Sequence, residues 1–293
     1  MMTNPFPNPA PIITAEELAT RLDEPNLRVY DCTTFLHPLP NNAELRVESG
    51  RAGYDEGHVP GAAFLDLAKE LSDESSALRF ATLDAASFAR KAGDLGIGDD
   101  TNVVLYDRTY GAWGARVWWM LRGYGFDRAR VLDGGLTNWR AKGHPIETRP
   151  HTYPGATFTS RPRSGHFVTR EEVKSALESD QIAIVNALLP EQHAGSGGVH
   201  YGRPGRIPGS CNISSRAIVD PQTQAFLSVE ELQQRFGEQG LLDGHRVIAY
   251  CGGGIAASLT ALALTALGVK DVGVYMNSMQ EWAKDETCPM ERD

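Results

Sequence analysis

The chain has 293 residues, a formal net charge of −9 and four cysteines, Cys32, Cys211, Cys251 and Cys288. That length suits two domains of ordinary size, each able to bury a core of its own. The acidic balance excludes the basic footprint of a nucleic-acid or anionic-membrane binder, and four scattered cysteines exclude a disulfide framework and any zinc-ligand spacing.

The opening residues, MMTNPFPNPAP, lack the basic and apolar regions of a signal peptide, so a cytoplasmic protein is expected. Ile12-Ile13-Thr14-Ala15-Glu16-Glu17-Leu18 carries a helix-start signature, with Thr14 as N-cap and a glutamate three residues on. Val29-Tyr30-Asp31-Cys32 reads as a strand, His58-Val59-Pro60-Gly61-Ala62 as a turn, and residues 83–95 as a helix. Val103-Val104-Leu105-Tyr106-Asp107 is a second apolar strand, which opens into the loop DRTYGAWGAR. The block VLDGGLTNW, from Val131 to Trp139, closes this half, and the Pro/Gly/Ser-rich stretch 150–165 reads as a linker.

The same series then returns in order. Phe167-Val168-Thr169-Arg170-Glu171-Glu172-Val173 repeats the helix start; Ile184-Val185-Asn186-Ala187 repeats the strand; Arg206-Ile207-Pro208-Gly209-Ser210 repeats the turn. Residues 229–236 read as a helix, Val247-Ile248-Ala249-Tyr250-Cys251 answers the second strand, and VYMNSMQEW, from Val274 to Trp282, answers the closing block. The chain is thus a duplication, divided into residues 1–149, a linker over 150–165, and residues 166–293. In each copy, short β-branched runs alternate with helical patterns, which predicts an α/β fold: a mainly parallel sheet flanked by helices, with ligands at the carboxyl ends of strands. Residues 255–269 are small and apolar but too short for a bilayer span, so a buried helix is expected there and no membrane partner.

The two copies differ where the second strand ends. Cys251 is followed by Gly252-Gly253-Gly254-Ile255-Ala256, whereas its counterpart Asp107 is followed by bulky and charged residues. A loop curling from a strand into a helix aims successive N–H groups and the positive end of the helix dipole at one point. That arrangement stabilises an anion beside Cys251 and favours the thiolate, the nucleophilic form. Glycines leave room for a second atom attached to the sulfur.

These residues carry a resemblance. Tyr54-Asp55-Glu56-Gly57-His58-Val59-Pro60-Gly61-Ala62 and the cysteine loop with the helix behind it resemble the two-domain rhodanese-type sulfurtransferases, over about residues 12 to 282. The resemblance implies two tandem rhodanese-like domains, an inactive first and a catalytic second, without cofactor or metal. Cys251 would take a sulfane sulfur from 3-mercaptopyruvate or thiosulfate and pass it to cyanide or a thiol such as thioredoxin, the protein acting as a monomer. Thiosulfate-specific members resemble C-R-K-G-V-T-A and mercaptopyruvate-specific members C-G-[ST]-G-V-T-A; the uncharged loop here is nearer the second, with Gly253 at the hydroxyl position and Ala256 at the threonine. A relay in that second class would use His58, although the serine position is Gly253 and the acidic one Val47. The usual Y-D-G-S segment reads Tyr275-Met276-Asn277-Ser278.

Both donors are anions, so Arg203 and Arg206 in HYGRPGRIPGS are the expected clamps, Arg203 foremost. His200 and Tyr201 are candidate pocket residues. Three other classes are weighed. Gly252-x-Gly254-x-x-Ala257 fits a loose dinucleotide fingerprint but lacks a strand-ending acid about twenty residues on. A C-x5-R phosphatase needs arginine where Ala257 stands. A non-turnover sulfur carrier or protein-binding module stays as the alternative. Cys32, Cys211 and Cys288 are expected to take no part.

Overall fold

A computed structural model describes residues 6, 10–40, 45–199 and 201–293. The first half supplies β1 (Ile12–Ile13), β2 (Leu27–Asp31), β3 (Thr34–Pro38), β4 (Leu45–Ser49), β5 (Ala63–Phe64), β6 (Asn102–Tyr106) and β7 (Ala129–Leu132). β3 pairs with β4 alone, and the others form a parallel sheet in the order β1-β7-β6-β2-β5. The second half supplies β8 (Phe167–Val168), β9 (Ile182–Asn186), β10 (Cys211–Asn212), β11 (Arg246–Tyr250) and β12 (Val272–Tyr275). These five are parallel in the order β10-β9-β11-β12-β8, the same topology read from the other edge.

The duplication extends to register. Asp31 pairs with Tyr106 as Asn186 pairs with Tyr250, and Ile12 pairs with Val131 as Phe167 pairs with Val274. The P-G turns are hung in the same way twice. The Tyr106 hydroxyl accepts the Val59 N–H at 3.2 Å and the Tyr250 hydroxyl that of Ile207 at 3.1 Å. Glu147 accepts the Gly61 N–H at 2.9 Å and Glu291 that of Gly209 at 3.0 Å. Trp139 and Trp282, both fully buried, each donate to a proline carbonyl further along, Pro145 and Pro289.

Local chemistry sets the helices. Thr14 accepts the Glu17 N–H, and Thr169 and Ser228 form full capping boxes with Glu172 and Glu231. Asp84 caps Ala85–Asp94 through the Ala86 and Ser87 N–H groups. Ile255–Ala266 is apolar around its whole circumference and buried accordingly. Among the described residues, no helix is long and apolar enough to cross a membrane.

The described residues divide into two compact units. One holds the chain through Phe35, Glu48–Arg163 and Val219–Phe226; the other holds Leu36–Val47, Ser164–Ile218 and Leu227–Asp293. Each half of the sequence therefore lends a short segment to the other unit. Residues 150–163 form no helix, yet they are bound along the first unit: Tyr153 accepts the Val29 N–H and donates to the Gly61 carbonyl, and the Ala156, Arg161 and Arg163 N–H groups reach the carbonyls of Gly93, Tyr124 and Gly123.

Candidate active site

Cys251 follows β11 directly, at the carboxyl end of the sheet's central strand, and is 2% exposed. Gly254 caps Ile255–Ala266 with φ +80°, a left-handed conformation in which glycine carries no steric cost. Its N–H points back at the Cys251 sulfur, at 3.1 Å. The first N–H groups of a twelve-residue helix have no intrahelical partner, and the dipole places partial positive charge beside the thiol. Ser258 reinforces this turn by donating to the Gly254 carbonyl at 2.6 Å.

The loop is held from behind by Ser278–Trp282. The Cys251 N–H donates to the Ser278 hydroxyl at 3.0 Å, and that hydroxyl donates to the Tyr275 carbonyl at 2.6 Å. The Met279 and Gln280 N–H groups bond the carbonyls of Cys251 and Gly252. Ser278 is fully buried and has φ +50°, uncommon for a residue with a side chain, and the two hydrogen bonds of its hydroxyl hold it there. The replacement of Asp-Gly by Met276-Asn277 therefore leaves the anchor intact; Asn277 and Tyr275 both bond Glu281. Sequence reading noticed Ser278 only as the last letter of a motif, since its partner lies 27 positions away.

The first unit shows what the same cradle does with a different side chain. Asp107 Oδ1 accepts the Thr109 and Gly111 N–H groups and the Thr109 hydroxyl, and Oδ2 accepts the Trp113 and Gly114 N–H groups at 2.9 and 3.1 Å. Gly111, at φ +86°, caps Ala112–Gly123 as Gly254 caps its helix. The carboxylate oxygens lie two bonds beyond the first side-chain carbon and fill the converging N–H groups. A thiol ends at its sulfur, one bond short, and in the second unit that outer position is where a further atom on sulfur would lie.

The two expected clamps are not turned to this loop. Arg203 donates to four backbone carbonyls, those of Trp282, Ala283, Asp285 and Cys288, and so caps the carboxyl end of Ser278–Trp282. Arg206 pairs with the carboxylates of Glu291 and Asp293. Both guanidinium groups tie down the C-terminal tail. Arg203→Met is accordingly expected to cost about 1–3 kcal/mol of stability, read by denaturant titration, with donor KM unchanged; a tenfold rise in KM at unaltered stability would restore the clamp. His58 takes its place within the first unit. Its ring stacks on that of Tyr54, with centroids 3.9 Å apart, and its two nitrogens face the carbonyls of Tyr54 and Arg149.

His200 lies outside the described residues. Tyr201 does reach the loop: a Cβ built on Gly252 would lie 2.0 Å from its ring. Burial pushes the Cys32 and Cys288 thiols up and the Cys211 thiol up to about 11, which keeps all three protonated at neutral pH. Among the described residues, no group of three or more His, Cys, Asp or Glu side chains is arranged to hold a metal.

Comparison with known proteins agrees with this geometry. The model of the rhodanese-like domain matches residues 14–142 and 169–285. Over 290 residues the chain is 32% identical to a probable 3-mercaptopyruvate sulfurtransferase of Pseudomonas aeruginosa, covering 96% of this chain and 98% of that one. It is 32% identical over 258 residues to the thiosulfate sulfurtransferase of Gallus gallus, covering 87% and 86%. Among solved structures, the 3-mercaptopyruvate sulfotransferase SseA of Escherichia coli superposes with a TM-score of 0.80 at 26% identity, over 92% of this chain and 98% of the other.

Proposed function

Because the chain belongs to the rhodanese-like domain family through both of its halves, it is a sulfurtransferase, and we propose that it carries the sulfane sulfur as a persulfide on Cys251. The observation that carries this reading is the Gly254 N–H aimed at the Cys251 sulfur from the start of a long apolar helix. In the first half-reaction the Cys251 thiolate attacks the outer sulfur of the donor. The bond from that sulfur to carbon, or to the sulfonate sulfur, breaks; its electron pair leaves with pyruvate, which takes up a proton, or with sulfite. In the second, cyanide or an acceptor thiolate attacks the outer sulfur and Cys251 leaves as thiolate. The electron pair of the first broken bond leaves with pyruvate or sulfite and that of the second with Cys251, so the electrons balance within each half-reaction and no external oxidant or reductant is needed.

The N–H groups of residues 252 to 256 form the cradle in this reading. Asp107 supports it, because a carboxylate in the equivalent place takes four such N–H groups. The uncharged loop favours 3-mercaptopyruvate over thiosulfate as donor. A small thiol, or a protein thiol such as thioredoxin, is the acceptor, and the enzyme works as a cytoplasmic monomer. Intact-protein mass after brief exposure to each donor tests the reading: a gain of one sulfur, about 32 Da, on wild type is expected, faster with 3-mercaptopyruvate. No gain from either donor would leave a binding module; a tenfold higher kcat/KM for thiosulfate, about 1.4 kcal/mol, would reverse the donor preference.

A further inference from the structure

Three consecutive glycines follow Cys251, but the backbone requires glycine at only one of them. Gly254 is left-handed, whereas Gly252 and Gly253 lie outside that region. At Gly252 the demand for glycine comes from another segment. A Cβ built there would sit 2.0 Å from Cζ and 2.5 Å from Cε1 of the half-buried Tyr201, so the tyrosine ring rests on the Gly252 backbone in the place of a side chain. A loop of this composition does not hold itself. Glycine has no Cβ to narrow its dihedral choices, and Gly252 and Gly253 separate the sulfur from the Gly254 N–H that faces it.

The restraint has a polar and an apolar part. The Cys251 carbonyl accepts the Met279 N–H at 3.0 Å, and the Gly252 carbonyl accepts the Gln280 N–H at 2.9 Å. The Tyr201 ring adds its contact at the same Gly252. Both parts rest on Ser278–Trp282. The first turn of that helix bonds the loop, and its carboxyl end receives the residues that follow Tyr201. Gly202 approaches Ala283 so closely that a Cβ there would sit 2.7 Å from the Ala283 carbonyl oxygen. That oxygen accepts the Arg203 N–H at 3.2 Å and the Arg203 Nε at 3.1 Å. One short helix anchors both the loop and the segment whose ring packs on it.

Resting on the sulfurtransferase reading, we propose that Tyr201 is a positioning residue for Cys251: its ring substitutes for the missing Gly252 side chain and holds the loop in the form in which the sulfur meets the Gly254 N–H. The role belongs to the ring as a packing surface. Without it the two glycines sample further conformations, and a nucleophile misplaced by about 1 Å loses on the order of 10²-fold in rate. Gly252 and Tyr201 are then one device. A side chain at residue 252 displaces the ring, and loss of the ring frees residue 252, so either change releases the same contact.

The test uses Tyr201→Ala, Gly252→Ala and the double variant in the full chain, with Tyr201→Phe as the conservative replacement. Sulfur loading is followed by intact mass over a range of 3-mercaptopyruvate and, in parallel, thiosulfate concentrations. Thermal unfolding of each variant is recorded beside it, and loading is measured well below every melting temperature. Tyr201→Ala should lower the loading rate at saturating donor about tenfold and leave the half-saturating concentration nearly unchanged. Gly252→Ala should do the same. The double variant should be no slower than either single one, because both changes release one contact. Tyr201→Phe keeps the ring and should recover most of the rate. A purely structural role would lower the melting temperature and leave the rate of the folded protein as it was. An unchanged rate in Tyr201→Ala, multiplied losses in the double variant, an effect confined to half-saturation, or a phenylalanine variant as slow as alanine would each overturn the inference. Failure of the wild type to load from either donor would instead remove the sulfurtransferase reading and this inference with it.

Discussion

Cys251→Ser is expected to lower sulfur transfer by at least about 10³-fold while leaving the fold intact. Serine is close to cysteine in size and can accept the Gly254 N–H as the sulfur does, so the strand, loop and helix start keep their geometry. The lost property is chemical. A hydroxyl is a far weaker acid and a far poorer nucleophile toward sulfur than a thiol, and an alkoxide is a poor leaving group in the second half-reaction. The variant should show no added sulfur by intact mass, with a melting temperature near that of wild type. Activity within tenfold of wild type would move the chemistry to another thiol. Cys32, Cys211 and Cys288 are poor substitutes, since burial pushes each of them up and keeps it a thiol at neutral pH.

The largest stability effect is expected in the first half, at the counterpart of Cys251. Asp107→Ala removes the common acceptor of four backbone N–H groups and of the Thr109 hydroxyl. Asp107 is 1% exposed, and the Trp113 and Gly114 N–H groups are buried, so water replaces the carboxylate poorly. Two stranded buried donors and the loss of a negative charge at the start of Ala112–Gly123 together give a loss of about 3 kcal/mol or more. Asp107→Asn should recover part of it, since one carbonyl oxygen remains to accept. Denaturant unfolding of both variants decides the matter; a loss under about 1 kcal/mol for the alanine variant would mean the converging N–H groups are satisfied in other ways.

These two residues occupy equivalent places, and their difference is the basis of the roles proposed for the two halves. A carboxylate of fixed length closes the cradle from within in the first unit. A thiol leaves the outer position open in the second, where the proposed persulfide would lie.

Much of this was legible in the sequence because it depends on neighbours along the chain. Helix starts at Thr14, Thr169 and Ser228 are capping geometry within three residues. Strand periods and their repetition in order carried the duplication and the parallel α/β class. The position of Cys251 between an apolar strand and a glycine that caps a helix carried the proposal of a nucleophile. What the sequence could not determine was where long side chains end. Arg203 finds its carbonyls 79 to 85 positions away, and Arg206 finds its carboxylates 85 and 87 positions away. The acceptors that hang the two P-G turns, Glu147 and Glu291, stand 86 and 82 positions from the N–H groups they serve. No local pattern marks such partners, because a flexible charged side chain bonds whatever the returning chain brings within reach. Gly252 shows the same boundary. That the loop would lack side chains was written in its letters, and that the Tyr201 ring stands where a Gly252 side chain would lie was decided only when segments about 50 residues apart packed together.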